Sequence, residues 1–495
     1  MDMLEALQHG AAANRRLVQE GPGKAVTYAE ALARAGGVAS VLRRYRVGPG
    51  DRVAVQAEKS LDMLWLYLGC LRAGAVFLPL NPAYTPAETG YFLADAEVAL
   101  FVTDPEQLAG AGGFPAVTLA ALAADAATAE TDFDDHPATA QTLAAILYTS
   151  GTTGRSKGVM LSRGNLASNA ETLAKVWAFT GDDVLLHILP VFHTHGLFVA
   201  TNTVLAAGAS MIFLPAFTPD GVFDNLPRAS VMMGVPTHYT RLLQDSRLTA
   251  NAVGHMRLFV SGSAPLSAAT HRDWAERTGT AILERYGMTE TNMNTSNPYD
   301  GERRAGTVGF PLPQVELRIT DPETGTPLPQ GDIGLIEIRG PNVFQGYWRA
   351  PDKTAADFRP DGFFMTGDMG SIDANGYLAI LGRNKDLVIT GGLNVYPAEV
   401  ESVIDDIPGV AASAVIGVPH PDFGEAVVAV IVGAPGANLD ENAVRAALRG
   451  RLAAFKIPKR VIVTSDLPRN AMGKVQKNVL RQDHAALFAD TANEA

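Results

Sequence analysis

The chain has one cysteine, Cys70, so it can form neither an internal disulfide nor a cysteine-based zinc site. That usage points to a reducing compartment. Long apolar runs are also missing: the most apolar stretch, Met63 to Leu71, falls far short of the roughly 18 residues a membrane span needs. The opening MDMLEALQHG carries Asp2 and Glu5 and no basic segment, so no signal peptide is expected and the expected location is the cytoplasm. Positive charge is scarce. Lys plus Arg number 40 against 52 Asp plus Glu, a net charge of −12, which argues against a broad basic face for nucleic acid. There is no G-x-G-x-x-G dinucleotide fingerprint and no Gly-Lys-Ser/Thr of a Walker loop. Repeats are absent, and the only low-complexity tract is the Ala-rich Leu119–Ala129, expected to be a surface helix or loop.

What is present describes a folded protein of several parts. At roughly 150 residues per domain, 495 residues suggest about two to four units. Apolar residues make up 47% and charged residues 19%, which excludes a disordered chain. Short β-rich runs (Arg52–Val55, Ala75–Pro79, Ala99–Val102, Ala144–Tyr148, Met211–Leu214) alternate with helical patterns such as Ser60–Arg72, where Leu61, Leu64, Trp65, Leu68 and Leu71 share a face. This alternation predicts an α/β fold with largely parallel sheets. From Leu317 to Gly340 the strand patterns Val315–Ile319 and Leu335–Ile338 are broken by turn sequences, which predicts a β-rich subdomain. The last ~110 residues read as a separate small α+β unit. Its strands are Ala411–Val418, Ala426–Val432 and Arg460–Thr464, and a helix is expected from Asp440 to Phe455 with Gly450 inside it. This tail is locally basic, which suggests either an anionic ligand or a solvated face.

The strongest chemical signal is Tyr148-Thr-Ser-Gly-Thr-Thr-Gly-Arg-Ser-Lys-Gly158, directly after the apolar run Leu143–Leu147. Thr149, Ser150, Gly151, Thr152, Thr153 and Gly154 offer backbone N–H and hydroxyl donors with little side-chain bulk, and Lys157 adds a positive charge. Those are the requirements of a phosphate cradle.

That run resembles the phosphate loop of the adenylate-forming superfamily, which includes acyl- and aryl-CoA synthetases, luciferases and peptide-synthetase adenylation domains. Further segments follow in the superfamily's order: Leu71-Arg-Ala-Gly-Ala-Val-Phe-Leu-Pro-Leu80, Leu189-Pro-Val-Phe-His-Thr-His-Gly-Leu197, Ser261-Gly-Ser-Ala-Pro265, Glu284-Arg-Tyr-Gly-Met-Thr-Glu290, Thr366-Gly-Asp368, Gly382-Arg-Asn-Lys-Asp386 and Pro468-Arg-Asn-Ala-Met-Gly-Lys474. The one departure is Leu335, where a glutamate is common, in a segment of structural character. The resemblance implies an adenylation domain over residues 1–384 that binds ATP and the acid. A mobile C-terminal lid over 385–495 would carry the catalytic lysine and turn about Lys385.

The implied chemistry has two steps. A carboxylate attacks the α-phosphorus of ATP, giving an acyl-adenylate and pyrophosphate, and the CoA thiol then displaces AMP. The first step brings anions together, so positioning and charge neutralisation dominate. By resemblance, Glu290 is the Mg2+ ligand, a hard oxygen donor suited to that ion. Thr289 donates to the α-phosphate, and Ser263, Ala264, Pro265, Glu284, Arg285, Tyr286 and Gly287 border the adenine, with Tyr286 against the ring. Asp368 accepts from the ribose hydroxyls with Arg383 beside it, Lys474 holds the developing charge, and Gly391 and Gly392 line the thiol path. The lysine is also a candidate for a lysine acetyltransferase, since acetylation deletes its charge.

The acid pocket carries less signal. His193 takes the acyl-pocket histidine position, His195 adds a second imidazole, and Ser261 borders them. The polar stretch after Glu290 brings Arg303 and Arg304. Polar walls oppose a long acyl tunnel, and the combination resembles the malonyl-CoA synthetases, which also take methylmalonate. Arg303 is therefore expected to bind the second carboxylate, with Arg304 as the alternative and His195 as helper. Two other readings stay open: a synthetase for another short acid, and a non-catalytic nucleotide-binding protein, which the intact Lys474, Glu290 and Asp368 argue against.

Overall fold

A computed structural model describes the chain except for residues 1, 22–23, 150–155, 438, 471–472 and 489–495. Among the described residues, two large sheets stand at the centre, nine- and seven-stranded. Arg52–Gln56, Val76–Pro79, Leu100–Thr103 and Ala116–Thr118 pair in parallel in the second. Val184–His187, Ser210–Phe213, Val231–Gly234, Leu258–Ser261 and Leu283–Met288 do so in the first. The expected α/β class and strand positions are therefore present. In open α/β sheets, ligands bind beyond the carboxyl ends of such strands.

The helix expected at Ser60–Arg72 forms as Leu61–Ala73 and stops at Gly74, whose φ of +73° suits glycine at a helix C-terminus. Every residue from Met63 to Ala73 is buried, not one face alone. A helix covered on all sides is a core element, and the apolar cluster it joins runs from the first helix to Phe364. The Ala-rich tract forms the helix Leu119–Ala127. No helix among the described residues is long and apolar enough to cross a membrane.

The β-rich segment is a four-stranded antiparallel sheet of Glu316–Thr320, Gly334–Arg339, Phe364–Ile372 and Leu378–Arg383. Leu335 is buried in its second strand. The C-terminal unit is a five-stranded sheet in which Val410–His420 and Gly424–Gly433 form a long hairpin and Arg460–Thr464 adds in parallel. Its helix does not reach Phe455. It spans Glu441–Leu448, and Gly450 has φ +80°. Glycine there is the stop signal and not a tolerated interior residue, because β-carbon sterics disfavour that backbone conformation for other residues. Half of the tail's basic residues are spent on carboxylates: Arg451 on Asp406, Lys456 on Glu399, Arg460 on Glu441, Lys477 on Glu401 and Arg481 on Asp386.

One buried carboxylate holds the four-stranded sheet. Glu337 is 0% exposed and accepts from Arg318 Nε at 2.8 Å, Arg359 Nε at 2.7 Å and Thr320 Oγ1 at 2.9 Å. Glu337→Ala leaves the half-buried Arg359 guanidinium without a carboxylate and Arg318 with Asp361 alone, at 2.6 Å. Breaking a buried pair from one side costs about 3 kcal/mol or more. Thermal unfolding followed by circular dichroism should show a clear drop in Tm, and an unchanged Tm would contradict this role.

Candidate active site

The strand Leu283–Met288 organises the site. Successive side chains of a strand point to opposite faces, so Glu284 and Tyr286 take one face and Arg285 the other. On the first face the Tyr286 hydroxyl donates to Asp368 Oδ2 at 2.5 Å, and Arg383 Nε reaches Asp368 Oδ1 at 2.7 Å. Asp368 and Arg383 are register partners on neighbouring strands. The Asp368 N–H donates to Thr366 Oγ1, which is itself tied to the Ile336 carbonyl. The expected ribose and adenine residues are thus cross-linked before any nucleotide arrives. Glu284 is buried, its carboxyl is pushed up to about 8 by burial, and its Oε1 has no partner. At pH 7 the neutral form dominates. Ser261 is its register partner and also has a buried hydroxyl without a partner.

Glu290 follows this strand. It is 8% exposed, accepts from the Tyr347 hydroxyl at 3.3 Å, and its carbonyl accepts from the Phe344 N–H at 2.7 Å. Burial raises its pKa. Among the described residues it has no ion pair, and no cluster of three metal-ligating side chains exists. One buried carboxylate fits Mg2+, which keeps waters and takes further oxygens from substrate phosphates. Thr289 is half-buried beside it. Gly287 is required by closeness: a β-carbon there would stand 1.8 Å from the Asn292 carbonyl oxygen.

The phosphate-loop candidates Ser150, Gly151, Thr152, Thr153 and Gly154 lie outside the described residues. Thr149 and Lys157 end the strands on either side and are register partners. The Lys157 ammonium lies 5.3 Å from the centre of the Tyr347 ring. Ala264 and Pro265 follow Leu258–Ser261, and Pro265 is exposed.

Lys474 comes to this centre from the C-terminal unit. Asn470 clamps the lysine backbone, accepting from its N–H at 3.0 Å and donating its own N–H to the Lys474 carbonyl at 2.9 Å. The lysine is solvent-exposed, and Arg383, Asp368, Glu290 and Arg285 act on its charge. Confinement, then Arg383, lowers its pKa, while Asp368 and Glu290 act in the opposite direction. Lys385 sits in the turn Asn384–Asp386. Gly391 and Gly392, with φ +57° and +77°, make the exposed tip of the hairpin Val388–Val395, where the Gly391 N–H donates to the Phe423 carbonyl at 2.9 Å.

The second face of the strand gives a result that sequence reasoning missed. Arg285 is 5% exposed, has no carboxylate partner among the described residues, and leaves Nε and Nη2 without acceptors. It lies on the backbone of Gly262, where a β-carbon would stand 2.2 Å from Cζ. Burial pulls its pKa down to about 9, so it stays charged at pH 7. His195 is buried beside it, with Nδ1 3.1 Å from Ser263 Oγ and Nε2 without a partner. Ser263 holds φ +70°, a strained conformation for serine of a kind that persists at functional sites. His193 also leaves Nε2 free, and burial followed by Lys474 brings its pKa down to about 3. Both imidazoles are neutral at pH 7, His195 because of burial and then Arg285.

Arg303 and Arg304 are not in this pocket, which corrects the expectation drawn from the sequence. Arg303 donates to the Ala281 carbonyl at 2.8 Å and the Tyr299 carbonyl at 3.0 Å. Ala281 precedes the strand whose far end leads to Glu290, roughly 20 Å away at ~3.3 Å per residue. Arg304 pairs with Asp373 at 2.6 Å and Glu302 at 3.1 Å. Both arginines are spent on the fold because the loop carrying them folds back over the amino end of the strand. The resemblance groups Arg285 with the adenine-bordering segment Glu284–Glu290, whereas strand alternation puts it on the face opposite Tyr286.

Comparison with known proteins shows the family and the fold. The family model described as AMP-binding enzyme matches residues 7–348, and that of the AMP-binding enzyme C-terminal domain matches 399–474. A feruloyl-CoA synthase from Amycolatopsis sp is 36% identical over 473 residues, covering 93% of this chain and 94% of that protein. A malonate–CoA ligase from Arabidopsis thaliana is 36% identical over 483 residues, covering 88% and 78%. The crystal structure of ATP-bound MatB from Rhodopseudomonas palustris superposes with a TM-score of 0.94 at 56% identity, covering 99% of this chain and 100% of that one.

Removing one preorganised charge from a transition state costs about 10²–10³ in rate. Lys474→Ala should lose adenylation on that scale, measured by pyrophosphate exchange, while transfer from supplied acyl-adenylate to CoA suffers less. Adenylation at the wild-type rate would reduce Lys474 to a surface lysine.

Proposed function

We propose that this chain, which belongs to the AMP-binding enzyme family and has the acid–CoA ligase fold, activates malonate with ATP and passes it to CoA. The observation that carries the choice of acid is Arg285. A buried cation without an anion is costly, and one aromatic or short monocarboxylate would leave it so. A dicarboxylate presents one carboxylate to ATP and a second one carbon away. The guanidinium fork, with two free donors, matches that second carboxylate. His195, through Nε2, is a neutral neighbour able to donate. The similarity to a malonate–CoA ligase and to MatB supports the same choice. Methylmalonate has the same carboxylate spacing and falls within this reading.

In this reading the reacting carboxylate lies near His193, with the nucleotide held by Tyr286, Asp368 and Arg383. Lys474 neutralises charge building on the bridging oxygens, and Thr289 donates to the α-phosphate. Glu290 would hold Mg2+, which when bound would supply Lewis-acid neutralisation of phosphate charge. Burial lowers both imidazole pKa values, His193 to about 3, so neither adds charge at pH 7. The thiol then displaces AMP after the C-terminal unit turns about Lys385, which takes Lys474 away and brings Gly391–Gly392 toward the thiol path. The exposure of Lys474 also leaves its charge open to removal by acetylation.

Arg285→Met should cut kcat/KM for malonate by ~10²-fold or more, the penalty of an unpaired buried carboxylate. Propionate should be affected far less. Arg303→Met should lower both acids in parallel, through stability. If Arg285→Met lowers malonate and propionate equally, the guanidinium serves ATP or the fold. If an aromatic acid outruns malonate in the wild type, the acid assignment falls.

A hinge must absorb a change of φ and ψ. Lys385→Pro should leave adenylation measurable by pyrophosphate exchange while thioester formation slows. Equal loss in both half-reactions would remove the hinge from Lys385.

A further inference from the structure

Behind the acid pocket the backbone leaves its usual form. His195–Thr201 is a π-helical turn, and all of it is buried. Such turns are rare and concentrate at functional sites. Gly196, the second residue of this turn, is pressed against Pro190, where a β-carbon would stand 1.9 Å from the carbonyl oxygen. Its own carbonyl also takes two side-chain donors: Thr201 Oγ1 at 3.1 Å, and His187 Nε2 at 2.9 Å.

The His187 ring can satisfy that carbonyl in one way only. A carbonyl oxygen accepts and cannot donate, so Nε2 carries the proton and Nδ1 carries the lone pair. Lys59 Nζ donates to Nδ1 at 3.0 Å and to the His187 carbonyl at 2.8 Å. A single ammonium therefore fixes both the tautomer and the backbone of the residue that holds the turn. Lys59 follows the strand Arg52–Gln56 of the seven-stranded sheet, whereas His187 ends a strand of the nine-stranded sheet, so the contact also staples the two sheets at their carboxyl ends. The ammonium lies 4.2 Å from the Phe213 ring centre, and no carboxylate partners it among the described residues. Its burial lowers its pKa well below that of a free lysine. A group held at that cost without an ion pair is held for its donors.

We propose that Lys59, His187 and Thr201 lock the π-helical turn, and that this lock sets where His195 presents its free Nε2 beside Arg285. Lys59 and His187 are then positioning residues for recognition of the second anion. Neither touches the Tyr286–Asp368–Arg383 group, so the lock acts on acid selectivity and not on the nucleotide. This rests on the reading of Arg285 and His195 as the second-carboxylate site, and the test separates the two.

The lock is read first in the ligand-free protein, whichever acid it uses. In 15N-histidine spectra, with His195 assigned through His195→Asn, Lys59→Met should shift the His195 ring signals as well as those of His187. Thr201→Val, which removes only a hydroxyl from the same turn, should move the same His195 signals. An unmoved His195 in both variants overturns the lock. In steady-state kinetics, each variant should raise KM for malonate and lower the malonate-to-propionate ratio of kcat/KM by about 10-fold, the scale of one lost hydrogen bond, with kcat changed far less. Parallel loss on both acids would make Lys59 and Thr201 merely structural and overturn the proposal. A moved His195 in a wild-type enzyme that does not prefer malonate to propionate would leave the lock standing and remove the acid assignment instead.

Discussion

An adenylate-forming site must gather negative charge from ATP and from an acid into one cleft, and that constraint shapes the structure around Leu283–Met288. The pleat of this single strand keeps the problems apart. Tyr286 faces Asp368 and Arg383, where a nucleotide sugar can be held by groups already paired. Arg285, one residue away, takes the opposite face beside His195, with Nε and Nη2 unspent. A guanidinium can lie so deep only because Gly262 has no side chain, and a β-carbon there would overlap it. Uncompensated burial of this kind disfavours folding, which is the usual mark of a group kept for a ligand.

Much of this was legible in the chain. Tyr286, Asp368, Arg383 and Glu290 come together as their motifs imply, because each sits at a strand end or on a paired strand where local pattern fixes the side-chain direction. Strands from Arg52–Gln56 to Arg460–Thr464 appear within a residue or two of their expected limits. The misses have a common cause. Arg303 and Gly450 were judged by neighbours in sequence, but Arg303 is consumed by carbonyls of Ala281 and Tyr299, and Gly450 by a left-handed turn. Neither a loop's path nor a backbone φ is written in residue type alone. Lys59 carried no motif at all. Its meaning comes from a contact with His187, 128 positions away, which only packing of the two sheets creates.

The C-terminal unit contributes little charge of its own to the cleft. Arg451, Lys456, Arg460, Lys477 and Arg481 meet carboxylates within the unit, and Arg272 of the large part reaches its Asp406. Lys474 is different: it is delivered by a short turn clamped at Asn470 and reaches toward Asp368 and Glu290 without a direct ion pair. A cation placed this way is free to follow charge as it moves from carboxylate to phosphate.

The central claim is that the second anion of the acid is received by Arg285. A crystal structure with malonyl-adenylate, or a stable sulfamate analogue of it, tests this most directly. The account predicts the distal carboxylate within about 3 Å of the Arg285 guanidinium, with His195 Nε2 beside it. A distal carboxylate turned to solvent, or seated on any other cation while Arg285 stays unpaired, would contradict it.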